Sequence, residues 1–246
     1  MRRFFLEKQS ETDEKILIKG SDAKHIQNVL RYKKDDLLGF FDIDGFEYTG
    51  KILSLGKEGI EIGISTKELS KRESPVEIIM AQSFLKDKKM DTILRHLTEL
   101  GITEFLPFFS ERSVPSPDIK RLKKRDERWK KIAIESVKQC ERGKVPAIHK
   151  TISFDELMEF SKKCDHKIIF WEKQEGKFVS NDQNPSKILL VVGPEGGFTE
   201  KEIEKATAFG FIKATLGPRI LKAETAAISA ATIIQYFFGD LSYKSS

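Results

Sequence analysis

The chain has 246 residues, 39% of them hydrophobic and 33% charged, which is too apolar for a disordered polymer and leaves room for one or two packed domains. Lys and Arg number 43 against 38 Asp and Glu, so the formal net charge is only +5, and the placement of the charge rather than its sum has to point to a partner. Two cysteines (Cys140, Cys164) and four scattered histidines (His25, His96, His149, His166) offer neither a disulfide framework nor metal-ligand spacing, so no metal is expected.

The N-terminus carries Arg2 and Arg3, but its apolar run stops after Phe4, Phe5 and Leu6, short of the roughly 7–15 residues of a secretory signal. Residues 15–18 read as a short strand. Ser21 reads as the cap of a short helix through Leu30, with Ala23, Ile26, Val29 and Leu30 on its apolar side. Residues 37–42, 47–53 and 59–64 are further strands, the first two joined by the tight-turn signal Asp44-Gly45. Short segments with hairpin turns predict a small β-barrel. The charged, apolar-poor stretch 66–75 then marks a boundary, giving one domain over 1–70 and a second over 75–246.

Beyond the boundary the pattern changes. Residues 76–81 form a continuous apolar strand, and 87–100 a helix with Met90, Ile93, Leu94, Leu97 and Leu100 on one stripe, ending at Gly101. A strand at 105–109 and a long basic helix over 120–142 follow. Ser153 with Glu156, and Thr199 with Glu202, are capping-box pairs that each start a helix. Strands are expected at 167–171, 188–192 and 214–216, and a final helix over 224–238. That helix is interrupted by Ser229, Thr232 and Gln235 and is shorter than the roughly 18 residues of a membrane span, so a soluble, cytoplasmic protein without a membrane partner is expected. Alternating strands and helices predict an α/β domain with a mainly parallel sheet covered on both faces.

Three features carry chemistry. The strand 188–192 runs into Gly193-Pro194-Glu195-Gly196-Gly197-Phe198 and then a capped helix. Ligands of open α/β sheets sit at such strand ends, and glycines let the backbone approach them closely. The spacing is neither GxGxxG nor GxxxxGK[ST], so dinucleotide and Walker-type readings lack their defining residues. A second strand end at 215–216 leads through Gly217-Pro218 to Arg219, Lys222 and Glu224, where solvated charge and a helix-dipole partner are equally open readings. Third, residues 112–144 hold 12 Lys and Arg against 5 Asp and Glu, a net of +7 that exceeds the charge of the whole chain. Such focusing fits a polyanion partner, although a solvated helix face with internal ion pairs would also produce it.

The two loops, 193–198 and Leu216-Gly217-Pro218-Arg219-Ile220-Leu221-Lys222-Ala223-Glu224-Thr225-Ala226, resemble the paired signature loops of the RsmE family of 16S ribosomal RNA methyltransferases, members of the SPOUT or α/β-knot superfamily. Lys86-Asp87-Lys88-Lys89-Met90-Asp91, Leu97-Thr98-Glu99-Leu100-Gly101, Glu111-Arg112-Ser113 and Gln139-Cys140-Glu141-Arg142 agree with the same family. Arg2-Arg3-Phe4-Phe5 and the stretch 25–31 resemble its PUA-like RNA-binding module. One departure is Lys222, where the family's second loop carries Arg; it keeps the charge and loses the planar fork.

The resemblance implies a trefoil-knotted SPOUT domain after a PUA-like barrel, a homodimer, and transfer of a methyl group from S-adenosylmethionine to N3 of a uridine in 16S rRNA of the small ribosomal subunit. It implies cofactor contacts from Glu172, Val192, Gly193, Pro194, Glu195, Gly196, Gly197, Leu216, Gly217, Arg219, Ile220, Leu221 and Thr225. Arg142 and Arg219 would stabilise the uridylate, with Glu195 or Glu224 as proton acceptor. RNA contacts are expected from Arg2, Arg3, Arg31, Lys86, Lys88, Arg112, Lys120, Arg121, Lys124 and Gln139. The alternatives are a non-catalytic ribosome-associated RNA-binding protein and an α/β enzyme that uses a nucleotide cofactor.

Overall fold

A computed structural model describes residues 3–6, 14–86, 88–113, 119–174 and 185–242. The chain divides into two units: Met1–Glu73 together with Val137–Val145, and Ser74–Ser136 together with Pro146–Ser246. Residues 137–145, assigned to the second domain on sequence, therefore group with the first.

In the first unit the chain forms β1 (Arg3–Phe5), β2 (Lys15–Ile18), α1 (Gly20–Lys24) with a π-helical continuation (His25–Val29), β3 (Leu37–Phe41), β4 (Phe46–Gly56) and β5 (Gly59–Leu69). The strands order as β1-β3-β4-β5-β2, with β1 parallel to β3 and the other pairs antiparallel. All five strands send side chains into one core, among them Phe4, Ile16, Phe40, Ile52 and Ile62, and Ile26 closes it from the helical turn. This inward wrapping is the barrel-like arrangement that the alternating short strands predict. Two details differ from the sequence reading. The helix is capped at Lys19 without a side-chain bond, so Ser21 lies inside its first turn, and the end is widened by the bond from Leu30 N to His25 O. Residues 66–69 are strand rather than linker: β5 continues to Leu69 opposite Phe46, and the Lys67 ammonium sits 4.5 Å above the Phe46 ring, so charge here belongs to an exposed cross-strand surface.

In the second unit follow β6 (Glu77–Ser83), α2 (Lys89–Glu99), β7 (Glu104–Phe109), α3 (Ile119–Cys140, its last residues counted with the first unit), β8 (Ala147–Ile148), β9 (Ile152–Ser153), α4 (Phe154–Ser161), β10 (His166–Phe170), β11 (Lys187–Val192), α5 (Glu200–Ala208), β12 (Ile212–Ala214) and α6 (Ala223–Phe238). The sheet runs β12-β10-β11-β6-β7-β8, with β9 beside β7, and every pair is parallel. Alternate residues feed opposite faces. Ile78, Met80, Leu190 and Val192 pack with α2 and α6, whereas Ile79, Ala81, Leu189 and Val191 pack with α4 and α5. Ala227, Ala230 and Ala231 of α6 are fully buried in the first of these layers, where their small side chains let the helix lie close to the sheet. Both expected capping boxes form, at Ser153 and Thr199. β12 lies two residues earlier than its apolar run suggests, because its register against β10 ends at Phe170 opposite Ala214, leaving Thr215 and Leu216 to the loop beyond. Among the described residues no helix is long and apolar enough to cross a membrane, and no cluster of His, Cys, Asp and Glu could hold a metal ion.

Candidate active site

Parallel strands deliver their following loops to one edge of the sheet, and three of those loops enclose a cavity of about 540 Å³. Loop 193–199 follows β11, loop 215–222 follows β12, and 171–174 follows β10. That size lies within the range of small-molecule sites. All lining residues belong to the second unit.

The first loop is held at both ends. Gln82, buried at the end of β6, donates from Nε2 to the carbonyl of Gly193 at 3.2 Å, and Arg112 donates from Nη1 to the carbonyl of Gly196 at 2.9 Å. Gly197 closes the turn onto Pro194 O at 3.0 Å with φ of +68°, and a Cβ there would lie 2.9 Å from Glu172 Oε1. The left-handed backbone is what requires glycine, since the carboxylate end of Glu172 can swing away from a Cβ. Beyond the loop, Glu202 joins the capping box to the 110–113 turn by accepting from Glu111 N at 2.9 Å.

Of the residues expected at the cofactor, Glu172, Val192, Gly193, Pro194, Glu195, Gly196, Gly197, Leu216, Gly217, Arg219, Ile220 and Leu221 all line the cavity, whereas Thr225 faces solvent on α6 and does not. Phe170, Trp171, Phe198, Lys222 and Lys89 are among the lining residues that the resemblance did not place at the cofactor. Lys89, in the first turn of α2, binds Glu195 of the first loop and lies 3.6 Å from Glu224 Oε1. The hydrogen bond to Glu195 raises the Lys89 ammonium above the ordinary lysine pKa. A contact across 106 positions leaves no local spacing signal, although Lys89 does stand inside one of the matched motifs.

Arg142 pairs with a carboxylate of its own unit. It belongs to the first unit and is not among the cavity residues: its Nε and Nη2 donate to Glu73 Oε2 at 3.2 and 2.6 Å, and its side chain is only 5% exposed. The other oxygen of Glu73 accepts the amides of Gly143 and Lys144, each at 3.0 Å. A buried guanidinium needs such a carboxylate, and this pair fastens 137–145 within its unit.

The expected RNA contacts divide similarly. Arg31, Lys86, Lys88, Lys124 and Gln139 are exposed. Arg3 is bound inside its unit to Glu47 at 3.2 Å and over the Phe41 ring at 5.1 Å, and burial lowers its pKa. Arg112 is exposed as well, with its Nη1 donating to the Gly196 carbonyl. Arg2 and the side chains of Lys120 and Arg121 lie outside the described residues. On α3 the charge serves two purposes: Arg128 pairs with Asp91 and Arg125 covers Phe84 at 4.9 Å, while Lys123, Lys124, Lys130 and Lys131 face solvent.

A family model described as an RNA methyltransferase domain matches residues 72–235, and one described as an RNA methyltransferase PUA domain matches 18–65. The ribosomal RNA small subunit methyltransferase E of Bacillus subtilis is 34% identical over 247 aligned positions, covering 96% of each chain. The chain belongs to the ribosomal RNA small subunit methyltransferase E family. Solved members and neighbours share the whole fold. The family enzyme of Neisseria gonorrhoeae, bound to S-adenosyl methionine, is 32% identical with a TM-score of 0.87, covering 98% of this chain and 100% of that one. A methyltransferase of Legionella pneumophila in complex with the cofactor SAM is 28% identical with a TM-score of 0.87, covering 97% and 98%.

Proposed function

We propose that the protein transfers a methyl group from S-adenosylmethionine to N3 of a uridine in the 16S rRNA of the small ribosomal subunit, as a cytoplasmic homodimer. The observation that carries the reading is the cavity built jointly by loops 193–199, 215–222 and 171–174, in a chain whose relatives are solved with this cofactor. The residues suit the ligand. S-adenosylmethionine carries a sulfonium, an ammonium and a carboxylate, and the cavity offers both signs, Glu172, Glu195 and Glu224 with Lys89, Arg219 and Lys222, beside an apolar lining that includes Phe170, Leu216 and Leu221. In this proposal the loops form the knotted core of the family fold.

When bound, the cofactor supplies an activated methyl group on a sulfonium centre. The protein's tasks are alignment and charge. Uracil N3 carries a proton and is a poor nucleophile until that proton leaves. Arg219, at the cavity wall, is placed to offset the negative charge that then develops on O2 and O4, and Glu195 or Glu224 to receive the proton. Arg142, paired with Glu73, would be a second cation for the uridylate. The exposed lysines of α3 take phosphates, and the target base leaves any stack to enter the cavity. Ile220 at 88% exposure and the exposed Tyr236 and Phe237 leave apolar surface for a second subunit.

Thermal stabilisation tests the cofactor. S-adenosylhomocysteine at about 100 times its dissociation constant is expected to add roughly 2.7 kcal/mol, with no response to ATP or NAD. A response to ATP or NAD alone points to a nucleotide-cofactor enzyme, and no response to any of them points to a non-catalytic RNA-binding protein.

A further inference from the structure

The turn 110–113 carries the first cavity loop. Its base is a trio of hydroxyls: Ser83 Oγ lies 3.0 Å from Ser110 Oγ and 2.9 Å from Ser113 Oγ, and Ser113 Oγ accepts the Ser110 amide at 2.9 Å. These bonds anchor the turn to the end of β6. Three more reach from it to the loop and to the helix behind: Arg112 Nη1 donates to the Gly196 carbonyl at 2.9 Å, Thr199 Oγ1 to Glu111 Oε2 at 3.1 Å, and Glu111 N to Glu202 Oε1 at 2.9 Å. A Cβ on Gly196 would stand 3.4 Å from Arg112 Cβ and 3.5 Å from its Cδ, so the loop is laid along the stem of that side chain. Gly196 also lines the cavity.

The rest of Arg112 is exposed. Among the described residues its Nε and Nη2 meet no acceptor. These two N–H groups form one edge of a planar fork, and their spacing suits two oxygens of one phosphate. Arg112 is also the first residue of the segment 112–144 that holds the excess positive charge. A base inside the cavity leaves its own phosphates at the rim, beside Gly196. Resting on the methyltransferase reading above, we propose that Arg112 is a positioning residue that couples the two substrates: its Nε–Nη2 edge takes an RNA phosphate while Nη1 holds the Gly196 carbonyl, so RNA and cofactor each tighten the binding of the other. Either partner alone has to order a long exposed side chain, and the second finds it ordered. By linkage the factor is the same in both directions.

Equilibrium dialysis of labelled S-adenosylhomocysteine against the full-length protein tests this, with and without saturating small subunits that lack the modification, at one salt concentration. The parent should bind S-adenosylhomocysteine at least about fivefold more tightly when subunits are present. Arg112→Ala should bring that factor within about twofold of unity. Arg112→Lys should do the same while keeping more of the subunit affinity, because one ammonium replaces the fork. Changing Lys130 and Lys131 to Gln should weaken subunit binding and leave the factor intact. A purely structural role for Arg112 would lower S-adenosylhomocysteine affinity equally with and without subunits and leave the factor at the parent's value, which overturns the coupling. So does a parent factor near or below unity, or a parent-like factor in Arg112→Lys. Failure of the underlying reading looks different, since the parent would then bind no S-adenosylhomocysteine under either condition.

Discussion

Replacing Glu73 with Ala isolates the role of Arg142. One carboxylate accepts two bonds from Arg142 and the amides of Gly143 and Lys144. Removing it leaves a guanidinium whose side chain is 5% exposed without this partner, and strands two amides. Breaking one side of a buried pair costs about 3–5 kcal/mol. Glu73 itself is 23% exposed, so water partly substitutes and the lower end, about 3 kcal/mol, is expected. Native-state hydrogen exchange resolves this locally. At about 1.36 kcal/mol per tenfold, the amides of Gly143 and Lys144 should exchange roughly 150 times faster, while amides in β11 change little. Protection within about fivefold of the parent would refute the reasoning. The same variant separates structure from chemistry. Arg142→Ala should lower turnover well beyond Glu73→Ala, which keeps the guanidinium. Losses of similar extent would remove Arg142 from the reacting base.

Gly197→Ala forces a side-chain residue into the left-handed region, so S-adenosylhomocysteine affinity should fall at least about tenfold while far-UV dichroism is unchanged; parent-like affinity would contradict the loop geometry. Glu104 is held to a pKa of about 2 by hydrogen bonds from His149 and Lys187, against 4.5 ordinarily. Its stabilisation is therefore complete above about pH 4.5 and fades as pH falls toward 2, so Glu104→Gln should flatten the acid limb of a stability–pH curve; an unchanged limb would count against the pairing. Changing Lys130 and Lys131 to Gln should weaken binding to small subunits uniformly and reduce the salt slope by about one for each phosphate no longer neutralised, and an unaltered slope would remove α3 from the RNA surface.

Much of the fold was legible because its signals are local. The capping boxes at Ser153 and Thr199, the Asp44-Gly45 turn and the apolar runs of β6 and β11 each declare themselves within a few residues. The two glycine-bearing loops were legible for the same reason, and they do line one cavity. What stayed hidden depends on partners far apart in the chain. Nothing near Arg142 announces Glu73, nothing near Lys89 announces Glu195, and Arg112 reads as a free cation until Gly196 is placed against it. Charge is the least informative pattern at single residues. The +7 of 112–144 marks a surface, but only packing shows that Arg125 covers Phe84 and Arg128 pairs with Asp91, while Lys130 and Lys131 are left to solvent. The extension of β5 through Leu69 was masked likewise, since a two-sided exposed strand has the composition of a linker.

Methyl transfer to uridine N3 is decided by incubating the protein with methyl-labelled S-adenosylmethionine and small subunits lacking the modification, then mapping the labelled nucleotide. One labelled uridine in 16S rRNA is expected, with the methyl group on N3. Label on a ribose oxygen, on another base, or absent from 16S rRNA would contradict it.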